Sequence, residues 1–233
     1  MHVPIRKRYP LNVIYLNFAS FCPIMDALFK EINKLRKTDI KNRIESRLND
    51  FRKAGKEGNK RWFSELCFCL LTANAKAKTA LAVEKDIGYD GYTTLAEKEL
   101  VKCLLRNKHR FHNTKAARIV EARQHLDIKN KVAAHSTEQD ARAWLIENVK
   151  GLGYKESSHF LRNVGYTSLA ILDRHILNLM HEHGFLEKIP KPATKKNYLG
   201  IEEKFRKIAE QLGMNLAELD LYMWHMKTGE VLK

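Results

Sequence analysis

The chain has 233 residues, with 42 Lys and Arg against 27 Asp and Glu, a formal net charge of +15, and 44% hydrophobic residues. That length fits one large domain or two small ones, and that apolar content is enough for a packed core, which excludes a disordered chain. The charge favours a polyanionic partner, nucleic acid first. The four cysteines, Cys22, Cys67, Cys69 and Cys103, are too scattered for a secreted disulfide framework or a compact iron–sulfur or zinc site, so a reduced cytoplasmic compartment follows.

In chain order, Arg6-Lys7-Arg8 precede an apolar stretch from Leu11 to Ile24 that faintly resembles a signal peptide. Asn12, Asn17, Ser20 and Pro23 interrupt it, no small-residue cleavage site follows, and it is too short and polar to span a bilayer. Residues 1–24 therefore read as an N-terminal extension, non-native or disordered, and residues 25–233 as the fold, in two helical subdomains. After Met25 nearly every segment has helical spacing, for example Ala141, Trp144, Leu145 and Val149, or Ile201, Phe205, Ile208 and Leu212. Ser136-Thr137-Glu138-Gln139 predicts a capping box for a helix running to Val149. Gly213 should end one helix and Asn215 cap the last. Gly88–Thr94 is one break, and Glu187–Lys196, with Pro190 and Pro192, is the linker-like stretch. The expectation is all-α, with nine or ten helices and little or no sheet.

Charge is concentrated in two segments. Residues 30–61 hold twelve basic and five acidic side chains, and residues 102–131 hold nine and two, each a net +7. Most such runs are solvated helix faces, but the excess in both favours a phosphate-facing surface.

The most informative stretch is Lys150-Gly151-Leu152-Gly153-Tyr154-Lys155, between two amphipathic helices, in a hairpin over about 139–164. Two glycines allow a tight turn with positive φ and close backbone approach to a ligand, and amides beside a helix N-terminus make an anion site. Leu152 can plug the space between the helices. The alternative is an ordinary connector, and the hairpin alone does not separate the two. Eighteen residues after Lys155, Asp173 in Leu172-Asp173-Arg174-His175-Ile176 is placed to cap another helix. An amine and a carboxylate thus stand at two helix N-termini. The helix dipole and partial burial both favour the neutral, nucleophilic amine of Lys155, and Asp173 can stabilise a cationic sugar or move a proton.

This pair of motifs resembles the signature of the helix–hairpin–helix DNA glycosylases, in which the lysine is the nucleophile and the aspartate the essential carboxylate; Lys150 departs from the proline common before the first glycine. Leu70-Leu71-Thr72-Ala73-Asn74-Ala75 resembles the family segment that sends an amide into the DNA stack, which implies that role for Asn74. The resemblance also implies two helical lobes with a DNA-binding cleft between them. The iron–sulfur branch is disfavoured because no cysteine follows Cys103. The tail Asp220–Lys233, the segment Arg110–Ile119 and the helix Ser157–Asn163 are similar to the short archaeal 8-oxoguanine DNA glycosylases. By that resemblance Phe111 and Trp224 sandwich the flipped base and Lys233 contributes to its recognition. An acceptor aimed at N7–H would separate 8-oxoguanine from guanine, and Asp220, one turn before Trp224, is a further acceptor. On composition alone Phe111 and Trp224 would be core, Asp220 a solvent-facing helix residue and Lys233 a frayed terminus.

The resemblance implies a bifunctional glycosylase and lyase on duplex DNA carrying 8-oxoguanine, gripped through the Gly151 and Gly153 turn. It implies no metal or organic cofactor, a monovalent cation at the hairpin at most, no membrane, and a monomer as the working unit. His181-Glu182-His183 is not a metal site, since i, i+2 spacing splays the rings, and His175 is expected to pack beside Asp173. The alternatives are a glycosylase for another oxidised base, a non-catalytic helix–hairpin–helix module that needs Lys155 only for phosphate, and a basic RNA-binding scaffold.

Overall fold

Local signals set several of the helix ends in the computed structural model, which describes residues 23–190 and 194–233. Helix α1 (Pro23–Leu35) opens on a proline, whose missing N–H costs nothing at a first helical position. The reading of residues 1–24 as an extension lies, up to residue 22, outside the described residues. There follow α2 (Ile40–Lys56), α3 (Asn59–Thr72), α4 (Ala77–Thr94), α5 (Glu97–Arg106) and α6 (His112–Ala122). A 3₁₀ turn, Arg123–His125, leads to α7 (Ile128–Ala133), α8 (Glu138–Asn148), α9 (Tyr154–Asn163) and α10 (Arg174–Glu182). Helices α11 (Lys195–Leu212) and α12 (Leu216–Thr228) complete the chain. The protein is all-α as expected, with twelve α-helices and no strand among the described residues, more than the nine or ten expected.

Two expected breaks differ. Gly88–Thr94 is a kink rather than a loop: Gly88 takes φ 56°, ψ −164°, and the helix resumes through Thr94. The cap of α8 is shifted by one from the expected box. Thr137 accepts from Asp140 N, while Glu138 is drawn away to accept from Thr167 N and Ser168 N. Gly213, left-handed, ends α11 and Asn215 caps α12 through Glu218 N, both as expected. The linker-like stretch falls between α10 and α11, with residues 191–193 outside the described residues.

The helices pack around two apolar cores. In the first, every residue of α3 from Trp62 to Thr72 is buried, because α4 to α9 surround it. A helix that is apolar all round belongs at the centre of a lobe. The second core joins α1 and α2 to α10, α11 and α12 through Leu28, Ile44, Phe51, Ile176, Phe205 and Tyr222. Each large side chain so buried contributes roughly 1.5–3 kcal/mol. The hairpin of α8 and α9 belongs to the first lobe and the segment leading into α10 to the second. No helix among the described residues is long and apolar enough to cross a membrane.

Candidate active site

A cavity of about 100 Å³ opens where the two lobes meet. The first lobe lines it with Thr72, Ala75, Ala77, Lys155, His159 and Arg162, and the second with Ile171, Asp173, Asp220, Trp224, Leu232 and Lys233. Five of the residues singled out in the sequence therefore meet in one place: Lys155, Asp173, Asp220, Trp224 and Lys233.

Lys155 is the second residue of α9, directly after the hairpin turn. Its Nζ lies 3.1 Å from Glu156 Oε1, a partner the sequence reading missed. Asp173 caps α10, its Oδ1 accepting from Ile176 N at 2.9 Å. Its Oδ2 has no hydrogen bond among the described residues and is available to the cavity. The capping bond fixes the carboxylate in one orientation.

Asp220 is buried, not solvent-facing, and pairs with Arg162. Burial pushes its pKa up to about 6, the Arg162 charge pulls it back, and the Asp173 carboxylate pushes it further up. Arg162 also binds Asn163 Oδ1, at 3.1 Å from Nη2, and Asn163 Nδ2 donates to Glu65 Oε2 at 3.1 Å. Glu65 is wholly buried in α3 and is held by Arg61 Nη2 at 2.6 Å. Trp224 forms one wall; its Nε1 is buried without a hydrogen-bond partner among the described residues. His175 stands edge-on to the Trp224 ring, 5.0 Å between centroids, so it packs as expected, against the tryptophan.

Lys233 is not a frayed end. Its Nζ donates to Glu65 Oε1 and Glu84 Oε1, both at 2.9 Å, and lies 4.3 Å from the centre of the Phe68 ring. The buried carboxylate of Glu65 needs countercharge, and Lys233 helps to supply it. Lys233 still lines the cavity, but its ammonium is paired with these two carboxylates. The ammonium ties the tail to the first lobe, and the backbone of Lys233 hydrogen-bonds the buried ring of His159, whose pKa burial pushes well down.

Phe111 is the residue the structure does not bring to the cavity. It is 50% exposed, in a left-handed conformation (φ 57°, ψ 34°) at the N-cap of α6, with the Arg110 guanidinium 4.9 Å from its ring. It is neither core nor cavity wall, because the turn between α5 and α6 turns it outwards. Asn74 is also left-handed (φ 58°) and exposed; it does not line the cavity, although its chain neighbours Thr72 and Ala75 do. Non-glycine residues in this conformation are costly and cluster at functional sites.

The hairpin turn needs only one of its glycines for positive φ. Gly151 has φ +98°, and a Cβ there would lie 3.2 Å from Leu70 Cδ2. Gly153 is extended (φ −103°, ψ −167°), and a Cβ there would make only an ordinary contact, 3.5 Å from Glu156 Oε2. Leu152 is buried in the first core as expected. Of the two basic runs, the second adjoins this turn: Arg118 packs against Gly151, and Glu121 binds both Arg118 and Lys150. Neither run lines the cavity.

The sequence reading missed Arg162, His159, Glu65, Glu84 and Glu156. Glu65 had a signal, since it is the single charge in the apolar run from Trp62 to Thr72. Arg162 and His159 had none of their own. The described residues contain no cluster of three or more His, Cys, Asp or Glu arranged for a metal, and His181 instead bonds Leu186 O through Nδ1 at 2.8 Å.

A hairpin with a tight glycine turn, an amine and a capped carboxylate around a cleft between two helical lobes define the class: a helix–hairpin–helix DNA glycosylase. A family model described as 8-oxoguanine DNA glycosylase matches residues 44–214. An 8-oxoguanine DNA glycosylase/AP lyase from Methanocaldococcus jannaschii is 45% identical over 206 residues, covering 88% of this chain and 99% of the relative. A crystal structure of the M. jannaschii enzyme with a 15mer DNA containing 8-oxoguanine superposes with a TM-score of 0.87 at 44% identity, over 89% of this chain and 100% of that one. The 8-oxoguanine DNA glycosylase of Thermotoga maritima gives 0.85 at 41% identity, over 90% and 100%. The chain belongs to the 8-oxoguanine DNA glycosylase family.

Proposed function

We propose that this chain excises 8-oxoguanine from duplex DNA and then cleaves the strand at the abasic site, with Lys155 as nucleophile and Asp173 as the essential carboxylate. The observation that carries the assignment of roles is that these two groups, on two helix N-termini from two lobes, line one cavity. The hairpin amides take a backbone phosphate, Asn74 fills the gap in the stack, and the damaged nucleotide rotates into the cavity. Stacking on Trp224, with Phe111 closing over the other face, contributes roughly 1–3 kcal/mol per aromatic contact. Asp220, when ionised, is the acceptor for N7–H, which guanine lacks, and Lys233 contributes to recognition from the cavity wall.

The neutral Lys155 amine attacks C1′ as the glycosidic bond breaks. The base leaves with the bonding electrons and takes a proton, while Asp173 Oδ2 stabilises the positive charge developing on the sugar. The amine gives up its protons as the sugar ring opens, and C1′ becomes a Schiff base. Loss of a C2′ proton then expels the 3′ phosphate, and hydrolysis frees Lys155. No step needs a metal or an organic cofactor. The carbonyls of Lys150 and Gly151 take no hydrogen bond among the described residues and would hold a monovalent cation, whose charge would favour phosphate binding at the turn. A chromosomal DNA substrate supports a nucleoid-associated protein in the cytoplasm of an archaeal or bacterial cell, and one chain holding both proposed reacting groups supports a monomer as the working unit.

Borohydride trapping on a duplex with one 8-oxoguanine, beside undamaged, thymine glycol and uracil duplexes, tests this. An adduct on the 8-oxoguanine strand alone, lost in Lys155→Gln with binding retained, is the expected result. Normal strand cleavage by that variant would remove Lys155 from its role, and an adduct on thymine glycol in preference would change the substrate.

A further inference from the structure

Behind the cavity lies a buried polar cluster that the chemistry above does not use. Arg142 of α8 is 2% exposed and binds Glu202 of α11 through two bonds, Nη1 to Oε1 at 2.7 Å and Nη2 to Oε2 at 2.8 Å. Nη1 also donates to Ser158 Oγ of α9 at 3.2 Å. The guanidinium lies over the rings of Tyr154 and Tyr198, 5.2 and 5.8 Å from their centres. A bidentate arginine in this setting has little freedom to move.

Two members of the cluster reach the chain that leads into Asp173. Glu202 Oε1 accepts from Ala170 N at 2.9 Å. Tyr198 Oη donates to Ala170 O at 2.8 Å and accepts from Leu172 N at 3.3 Å. Residues 170–172 belong to no helix, so these side chains satisfy backbone groups that would otherwise be buried and unpaired. On the other side the cluster touches Tyr154, the neighbour of Lys155. It therefore spans the two lobes one residue away from each reacting group.

We infer that Tyr198 and Glu202, held by Arg142, are positioning residues that set the Asp173 carboxylate against the sugar attacked by Lys155. This rests on the role proposed for Asp173. A displacement of about 1 Å in such a group lowers a chemical step by as much as a hundredfold. Substrate binding draws on the hairpin and the cavity walls and does not need the Tyr198 hydroxyl.

Tyr198→Phe removes one oxygen and leaves the ring packed on Tyr154. The expected result is a fall of roughly ten- to a hundredfold in single-turnover release of 8-oxoguanine. Affinity for the lesion duplex, and borohydride trapping on a duplex with a preformed abasic site, should both stay within about threefold of the unmodified protein. Trapping on the abasic site no longer needs the base to leave, and it reports that the variant is folded. Unchanged release in Tyr198→Phe overturns the proposal. So does an equal fall in release, trapping and affinity, which would mark Tyr198 as general support for the fold. Asp173→Asn, run alongside, separates the two levels: normal release in that variant removes the role of Asp173 itself, whereas loss there with normal release in Tyr198→Phe removes only the positioning role.

Discussion

Asp220→Asn is expected to make the protein more stable at neutral pH, although it removes a charge from a buried ion pair. Asp220 is buried on α12, and burial raises its pKa from 3.8 to about 6 even with the Arg162 guanidinium in contact. Desolvation therefore outweighs the attraction of Arg162. A carboxyl whose folded pKa lies above its unfolded value favours folding in its protonated form. Its contribution is fully present below about pH 4 and is lost as the pH rises through about 6. The rise from 3.8 to about 6 corresponds to roughly 3 kcal/mol. Asparagine imitates the protonated acid and keeps an oxygen for Arg162, so the variant should be more stable than the parent by roughly 3 kcal/mol above pH 6 and equal to it near pH 4. For a chain of this size that difference is roughly 6–12 °C in melting temperature. Thermal melts of both proteins from pH 4 to pH 8 measure it directly, and other titrating groups cancel in the difference. A variant that melts lower at pH 7.5 would refute the reasoning, because the Arg162 charge left behind would then dominate. So would a gap that does not narrow as the pH falls from 7 to 4. A carboxylate kept in a cavity at the expense of stability is expected to serve function, so excision of 8-oxoguanine should fall in the same variant.

Lys233→Met strips Glu65 and Glu84 of a shared cation; with Arg61 still on Glu65, the loss should be about 2–3 kcal/mol by chemical denaturation, and an unchanged midpoint would refute the anchoring role. Gly151→Ala should cost roughly 1–3 kcal/mol because of its positive φ and the approach to Leu70, whereas Gly153→Ala, on extended backbone with only an ordinary contact to the Glu156 side chain, should stay within about 0.5 kcal/mol; equal melting temperatures for the two variants would contradict this. Phe111→Ala should leave the melting temperature within about 2 °C while weakening the lesion complex by roughly 1–3 kcal/mol, read from duplex titrations with and without 8-oxoguanine. Equal affinity for both duplexes, unchanged from the parent protein, would count against a stacking role.

The features legible in the sequence are those that depend on near neighbours along the chain. Caps at Asp173 and Asn215, the αL glycine after α11, the apolar faces of α8 and α11 and the turn at Gly151 each involve groups within about four residues, so spacing alone predicts them. Lys155 and Asp173 are legible for the same reason, since each is defined by the helix it starts. The helix count and the kink at Gly88 are less so, because short helices joined by tight turns leave little punctuation.

The amino-acid sequence by itself determined an all-helical fold, the hairpin with its lysine and the capped aspartate, because helix formation and capping are local. Only the tertiary structure decided which side chains meet. Glu65 lies 168 residues from Lys233, and Asp220 lies 58 from Arg162, yet each pair is in contact because buried charges must find a counterion and the lobes bring those helices together. The same long-range packing left Phe111 exposed on its turn, enclosed Asp220 where burial raises its pKa, and ran the Arg142, Glu202 and Tyr198 cluster from the hairpin to the chain before Asp173. Periodicity can show that a face is buried, but what it is buried against is settled by how the helices cross.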